Sequence, residues 1–263
     1  MGGSPTLALY GALDRAFAHF NRALFKNDLP PALLTLRGAR NSRGYHHAER
    51  FISPGGDRLH ELALHPGFFT LQPIEWSLST LVHEMVHHWQ VCFGRPTRSN
   101  AHNREWAVKM RELGLPPSKS GLPGGDETGR RMTHWIEPDG LFIKATNELI
   151  SKGFHWPWMD RYLPETLERF DEYTQALSAH GVTVETVAPA PWQSLPNALD
   201  APSEHGISDD PEQNLAKLLV KPSPPRPSNE TRLRCSSCGI RVRTSGEAQL
   251  ICADCDVPLT PVE

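Results

Sequence analysis

The residues at positions 81 to 90, LVHEMVHHWQ, carry the pattern His-Glu-x-x-His. Because side chains four apart lie on one face of an α-helix, His83 and His87 can hold one metal ion between them. Glu84 is one step round the helix, close enough to touch a metal-bound water without being a ligand. A zinc ion with three protein ligands lowers the pKa of that water to about 7, and the carboxylate can pass its proton to a leaving amine. The pattern predicts a zinc hydrolase, in the first instance a peptidase.

The helix that carries this motif is apolar on one side. The apolar residues recur at helical spacing, which places the helix in a core and predicts a span of about 74–93. They are Leu78, Leu81, Val82, Met85, Val86 and Trp89. Two histidines and a glutamate partly buried on such a helix would be costly without a partner, which favours a bound metal ion over an ordinary surface pattern. His88 faces another side of the helix and is predicted to be structural.

A third ligand is expected in the segment that follows the motif helix. His102 lies 15 positions after His87, far enough for a turn and a return to the metal. Glu105, one helical turn further on, is the alternative, because a site with two histidines and one glutamate is equally sound chemically. We favour His102. The longer motif, with Gly and His three and six residues after the second histidine, is excluded because Gln90 and Phe93 stand there.

The order of the predicted elements is that of an α+β domain. An amphipathic helix is predicted at 5–27, strands at 33–37, 44–52 and 60–64, and, after the motif helix, a helix from 102 to 113. Further on, 115–126 is predicted to be a structureless loop, 132–136 a strand, and 142–151 and 163–177 helices. The small sheet and the motif helix together are expected to form the catalytic core.

The segment from 81 to 113 resembles the SprT-like zinc metallopeptidases. The resemblance rests on HEMVH, a polar loop and HNREW, on the spacing of His102 from His87, and on the strand ending ELALHP before the motif helix. It covers about residues 5–115 and the C-terminus. It implies a zincin-like metallopeptidase core in which His83, His87 and His102 bind zinc and Glu84 is the catalytic base. It also implies a relation to the Spartan group, whose members digest proteins crosslinked to DNA.

Two further residues are candidates for stabilising a tetrahedral oxyanion or for contacting the substrate. His134 offers the positive or hydrogen-bonding group that an oxyanion needs. Tyr45, next to His46 and His47 near a strand edge, offers a hydroxyl for the same purpose. A histidine with a purely structural role is the alternative for His134.

Four of the five cysteines form a second pattern. Two Cys-x-x-Cys pairs are separated by 13 residues, which is the layout of a zinc ribbon with two knuckles. The four ligands are Cys235, Cys238, Cys252 and Cys255. Four thiolates close a tetrahedral site, so this second zinc is predicted to be structural. A ribbon after the peptidase segment is also a feature of bacterial SprT-like proteins and extends the resemblance.

Basic residues surround the first knuckle of the ribbon. They are Arg232, Arg234, Arg241 and Arg243. Such a patch is suited to phosphate contacts and predicts nucleic-acid binding. The alternative is the solvated face of a small domain, since Asp254 and Asp256 are close in the sequence.

Composition sets the organisation of the chain. The 263 residues include 24 prolines and only 38% hydrophobic residues, which suggests a folded core with extended segments. Proline, serine and acidic residues dominate 183–230, so the predicted layout is a metallopeptidase domain at 1–182, a flexible linker at 183–230 with a short helix at 210–220, and the ribbon at 231–263. The net charge of −3 excludes an electrostatic nucleic-acid binder acting through the whole molecule.

The same composition gives an expectation for the compartment. Cys-x-x-Cys pairs fit metal binding in a reducing environment better than disulfides. Neither an apolar run long enough for a membrane span nor a basic start followed by an apolar run is present, so we expect no membrane segment and no secretory signal. The prediction is a cytoplasmic protein.

Two functions of different classes follow. The first is a zinc endopeptidase acting on proteins, directed by its ribbon to substrates that include proteins on DNA. The second is a non-catalytic adaptor that binds DNA or protein through the ribbon. An intact Glu84 favours the enzyme, because zinc binding alone does not need that carboxylate. A different zinc-dependent hydrolase is a third option, because the motif leaves open which bond is attacked.

Overall fold

The computed structural model describes residues 3–37, 42–70, 72–97, 101–162, 170–182, 230–246 and 248–262. The chain divides into two compact units, one before Ser223 and one from Ser223 onwards. Residues 183–229 lie outside the described residues, and with them the predicted short helix at 210–220 and almost all of the predicted linker. The domain boundaries drawn from the sequence therefore remain predictions.

The first unit is a mixed α+β fold, as predicted. Its helices are α1 (Pro5–Phe25), α2 (Ile74–Phe93), α3 (Arg104–Glu112), α4 (Leu141–Ser151) and α5 (Phe170–Ala179). Its strands are β1 (Leu33–Leu36), β2 (Gly44–Ile52), β3 (Arg58–Leu64), β4 (Pro117–Ser118) and β5 (Thr133–His134). Among the described residues, no helix combines the length and apolar character that crossing a bilayer requires.

Helix α1 covers one side of the core. It begins with proline at its first position, where the missing N–H costs nothing, and ends at Lys26 in the left-handed conformation. The side chain of Asn21 then holds the following turn, since its amide donates to the carbonyl of Leu29 (3.0 Å) and its Oδ1 accepts from the N–H of Leu29 (3.1 Å). Phe20 stacks on Phe142 of α4, with ring centroids 5.7 Å apart.

The sheet that faces the motif helix has the order β1-β3-β2. Strand β3 pairs in parallel with β1 and antiparallel with β2, with a bulge in β2 between His47 and Phe51. Alternation along β3 turns Leu62 and Leu64 into the core beneath α2. The motif helix is thereby held on one face of the sheet, next to β2 and β3.

Glu61 ties the three strands together on the other face. Its carboxylate is fully buried and accepts a hydrogen bond from Thr35 on β1 (2.7 Å). Arg50 on β2 (3.0 Å) and Arg37 at the end of β1 (2.8 Å) supply the positive charge. Because a buried carboxylate is costly without such partners, this cluster fixes the relative register of the strands.

The segment after α3 differs from the prediction. The structureless loop predicted at 115–126 begins with the buried stretch from Leu115 to Ser118, and β4 pairs there with β5, placing Pro117 opposite His134. The prolines and glycines of this segment favour a loop prediction, and β4 forms because β5, a distant segment, pairs with it. The strand predicted at 132–136 is confined to β5. Of the helix predicted at 163–177, residues 163–169 lie outside the described residues, and α5 covers Phe170–Ala179.

The second unit is a small four-stranded sheet. Its strands are β6 (Glu230–Cys235), β7 (Arg241–Ser245), β8 (Ile251–Cys252) and β9 (Val257–Pro261), in the order β7-β6-β9-β8. Among its described residues, the buried apolar and cysteine side chains are those of Leu233, Cys235 and Cys252. A unit with so small an apolar core needs another source of stability.

Candidate metal centre

Three histidines meet above the sheet. His83 and His87 lie one turn apart on α2, and His102 lies just before α3. The Nε2 atom of His102 is 3.1 Å from Nε2 of His87 and 3.4 Å from Nε2 of His83. One nitrogen of each ring lies within 4.8 Å of those of the other two. The structure thus brings together the three ligands predicted from the sequence.

The tautomer of His102 suits a metal ligand. Its Nδ1 donates to the carbonyl oxygen of Gly129 at 3.0 Å, which leaves the lone pair on Nε2, the atom that faces the other two histidines. The backbones of the same two residues exchange hydrogen bonds of 2.8 Å in both directions. Such a bond from the outer ring nitrogen to a backbone carbonyl is the usual support of a ligating histidine.

A chain of hydrogen bonds supports His83 in the same way. Its Nδ1 is 3.2 Å from Nδ1 of His134, and Nε2 of His134 is 2.9 Å from the hydroxyl of Ser79, which donates to the Trp76 carbonyl. With Nδ1 of His83 as donor, the protons of this chain all point towards Ser79, and Nε2 of His83 keeps its lone pair on the side of His87 and His102. His134 therefore lies behind His83, with both ring nitrogens engaged.

Burial keeps these imidazoles neutral. Burial is the larger cause, and neighbouring basic side chains the smaller one, that together lower the pKa of His87 to about 3 and the pKa of His134 to about 3. The pKa of His83 is also well below its ordinary value, chiefly through burial. The neutral ring is the form that binds metal, so the site is arranged for a cation.

The loop that carries His102 is fastened to the end of α2. The Oδ1 of Asn103 accepts from the Trp106 N–H (3.0 Å) and so caps α3, and it also accepts from the Gln90 amide (2.7 Å). Gln90 donates to Glu105 as well (2.7 Å), and Glu105 accepts from the N–H of Arg95 (2.7 Å). Glu105, the alternative ligand, is thus engaged in holding the loop, and it does not share the group of converging atoms.

Glu84 lines the same cavity as the histidines. The cavity has a volume of about 830 Å³ and is bordered by β2, α2, the His102 loop and β5. Burial raises the pKa of Glu84 to about 8. A side chain at Gly44 on β2 would place its Cβ 3.1 Å from Oε1 of Glu84 and 2.9 Å from the Ala63 carbonyl. Gly44 therefore leaves room for the carboxylate, a role that its position in the sequence did not reveal.

Tyr45 borders the cavity without joining the histidines. Alternation along β2 turns Gly44 and His46 towards α2 and Tyr45 towards the other face of the sheet, where it hydrogen-bonds Glu61. Burial, with the charge of Glu61, raises the pKa of Tyr45. Its predicted contact with an oxyanion or a substrate stays a prediction.

The second unit holds the four predicted cysteines together. Their sulfur atoms all lie within 4.8 Å of one another, with Sγ of Cys238 3.7 Å from Sγ of Cys252. The N–H of Cys238 donates to Sγ of Cys235 at 3.5 Å, and this bond is the main cause that lowers the pKa of Cys235 to about 6. Four soft sulfur donors at this spacing fit one tetrahedral zinc ion.

The four predicted arginines share one face of the second unit. Across the β6–β7 pair, Arg232 lies opposite Arg243 and Arg234 opposite Arg241, and all four are exposed. Cross-strand neighbours are in contact range, so this face carries two stacked pairs of like charge. Ile251 on β8 is exposed as well, with 67% of its surface accessible.

The fold and the first site fit one class: mixed α+β domains in which a His-Glu-x-x-His helix and a later histidine form a group that could hold a metal ion, beside a carboxylate. Residues 13–122 match the model of the SprT-like family, which confirms over this segment the resemblance seen at the motif. This match is consistent with a metallopeptidase.

One curated relative is "Uncharacterized protein in mucB 3'region" of Salmonella typhimurium, to which the chain is 44% identical over 48 residues. The match covers 18% of this chain and 65% of the relative, so the chain spans less than two thirds of its length. No solved structure matches the chain significantly.

Proposed function

We propose that the first unit is a zinc-dependent endopeptidase. The observation that carries this proposal is the convergence of three neutral imidazoles in a cavity that also contains the carboxylate of Glu84. A zinc ion held by His83, His87 and His102 would supply Lewis-acid chemistry, lowering the pKa of a water and polarising the scissile carbonyl.

Glu84 acts as the general base and then as the acid. Its burial favours the protonated form, and a cation held by the adjacent histidines favours the charged form, so the carboxylate is poised to accept and release a proton near neutral pH. It takes the proton of the attacking water and delivers it to the leaving amine. His134 orients His83 from behind.

Replacing Glu84 by Gln tests this mechanism. We expect cleavage of an unstructured protein such as casein to fall by roughly 10²- to 10⁴-fold, the usual contribution of a general base, while bound zinc is unchanged. The matched control is Glu112→Gln, an exposed glutamate on α3, which should cleave like the wild type. Wild-type activity in Glu84→Gln with equal zinc content would disprove the role of Glu84.

We further propose that the second unit binds nucleic acid through its arginine face and brings the peptidase to proteins on DNA. Four exposed arginines on one face of the sheet suit contacts with several phosphates. The described lining of the first unit's cavity points the same way: Arg43, Lys119 and Arg131 border it, and Glu84 is its one carboxylate. We also propose a cytoplasmic location, on the basis of the paired cysteines.

The nucleic-acid proposal is tested on the edge strand of the ribbon. Binding of a labelled single-stranded oligonucleotide, followed by anisotropy, should weaken in Arg241→Ala/Arg243→Ala. The slope of log affinity against log salt should also become shallower by about 1.4, since each phosphate contact on a single strand contributes about 0.7. The control Arg241→Lys/Arg243→Lys keeps the charge and should keep the slope. An unchanged slope in the alanine variant would contradict the proposal.

Running both assays together separates the functional alternatives. Cleavage that requires Glu84 and rises with single-stranded DNA would support a DNA-directed peptidase. If cleavage requires Glu84 but does not change when DNA is added, the ribbon binds a partner other than DNA. Tight DNA binding with no cleavage under either condition would favour the non-catalytic adaptor.

A further inference from the structure

A second group of three histidines lies between the sheet and α2, and we call it the strand–helix cluster. It consists of His46 on β2, His60 on β3 and His88 on α2. One ring nitrogen of each residue lies within 4.8 Å of those of the other two. Nε2 of His46 is 3.2 Å from Nδ1 of His60, and the rings of His60 and His88 have centroids 4.9 Å apart. The cluster shares no residue with the first site.

The fold brings these residues together through strand alternation and the helix turn. His46 lies opposite Leu62, and His60 is two residues before Leu62, so all three side chains project from the face of the sheet that meets α2. His88 follows His87 on α2, so consecutive helix residues serve two different groups of histidines. His88 is completely buried, and His46 and His60 are half-buried.

The hydrogen bonds of the cluster prepare it for a ligand. Nε2 of His88 lies 2.9 Å from the carbonyl oxygen of Pro30, so this nitrogen carries the proton. Nδ1 keeps the lone pair and lies 3.8 Å from Sγ of Cys92, whose thiol a metal ion would have to displace as its partner. The bond is of the same kind as that from His102 to Gly129 at the first site. Burial, with the neighbouring histidines, lowers the pKa of His46 to about 3, so its ring is neutral at physiological pH.

The ligand chemistry follows from the donor set. Three neutral imidazoles without a carboxylate among them favour borderline transition-metal ions over calcium or magnesium, which prefer oxygen. We propose that His46, His60 and His88 form a second binding site for a divalent transition-metal cation, of which Zn²⁺ is the representative, separate from the site of His83, His87 and His102.

The two sites are close enough to influence each other. The rings of His46 and His87 have centroids 6.5 Å apart, and His87 and His88 are adjacent in the helix. Two divalent cations at neighbouring positions repel each other. Occupation of the first site therefore weakens binding at the strand–helix cluster, which should fill at a higher free zinc concentration.

Metal stoichiometry of the full chain tests the proposal. Metal-free protein is dialysed against buffers of stepped free Zn²⁺, and zinc per chain is measured by mass spectrometry. His60→Ala should bind about one zinc fewer than the wild type at the higher steps, as should His46→Gln. The matched control is His47→Ala, because His47 is the exposed neighbour on the same strand. It should bind as much as the wild type.

Combination with His102→Ala separates the two sites. If they are distinct, His60→Ala removes about one further zinc in the His102→Ala background. Zinc contents of His60→Ala and His46→Gln equal to that of His47→Ala would overturn the proposal. A double variant that binds as much as His102→Ala alone would overturn it too, because a single ion would then be shared. Circular dichroism of the metal-free variants checks that all of them fold.

Discussion

The two units hold their proposed metal ions in opposite ways. In the first unit, His83 and His87 come from one helix and His102 from a later loop, and the three rings face an open cavity. In the second, all four sulfur donors fall between Cys235 and Cys255 and close around one point. Three donors leave a coordination position for chemistry, whereas four donors leave none. Zinc is therefore expected to serve catalysis in the first unit and folding in the second.

The surroundings of the two sites sharpen this difference. Around the histidines, a large apolar core includes the fully buried Trp106, Phe20 and Phe142, so the fold has a source of stability besides the metal. Around the cysteines, Leu233 is the one deeply buried apolar side chain apart from the sulfur ligands, among the described residues. Loss of metal should therefore unfold the second unit and spare the first.

The largest expected effect comes from breaking the cysteine site. Cys252→Ser should abolish the folded state of the second unit, since structural zinc supplies roughly 10–16 kcal/mol at neutral pH. Amide resonances of 230–262 should collapse to random-coil positions in a ¹⁵N correlation spectrum, while those of the first unit stay dispersed. Cys92→Ser, the same change in the first unit, is the control. If the resonances of the second unit stay dispersed in Cys252→Ser, this unit does not depend on zinc for folding, and the proposed difference between the two units is wrong.

Breaking the histidine site should have a smaller effect on structure and a larger one on function. His102→Ala should lose the zinc of the site formed with His83 and His87, about one ion per chain, with casein cleavage lost and the circular dichroism spectrum retained. Glu105→Gln is the comparison, since its carboxylate holds the loop. If His102→Ala retains this zinc and Glu105→Gln loses it, Glu105 is the third ligand and His102 is not.

The smallest effect on zinc binding is expected from His134, which contacts the proposed ligand His83. His134→Phe removes the partner of His83 and should lower zinc affinity at this site by roughly 10- to 100-fold, with cleavage restored at high free zinc. If His134 instead stabilises an oxyanion, zinc affinity stays constant and the turnover number falls by about 10²- to 10³-fold at saturating zinc. Zinc titration monitored by activity distinguishes the two. Ser79→Ala should act in the same direction as the loss of His134, but more weakly.

Hydrophobic periodicity, together with the prolines and glycines at the ends of segments, predicted the helix and the strands around the motif. The motif helix was expected at about 74–93 and spans Ile74–Phe93, because a long apolar stripe and the flanking Pro73 and Gly94 mark both ends. Strand β2 has its predicted bounds. His102 was favoured from spacing alone, and it lies with His83 and His87, since a helix and a short return loop leave few alternatives.

What sequence reasoning missed depends on contacts between distant segments. Gly129 supports His102 from 27 residues away, and β4 gains its partner β5 across a loop rich in glycine. His46 and His60 appear unrelated until the register of β2 and β3 aligns them. Tyr45 borders the cavity, as expected, but its hydrogen bond to Glu61 on the other face of the sheet was not foreseen, and its role towards a substrate stays a prediction. None of these pairings leaves a local pattern of residue types.

Gly44 shows how the first unit balances the stability of a strand against space at the candidate site. Its backbone adopts no conformation reserved for glycine, so its value lies in the space beside the Glu84 carboxylate. Glycine weakens a strand, and an engineer seeking a more rigid β2 would replace it first. Any side chain there would crowd the carboxylate or push the strand away from α2. The weak point of the strand is thus what leaves space for the carboxylate that we propose as the general base, and stabilising this sheet has to begin elsewhere.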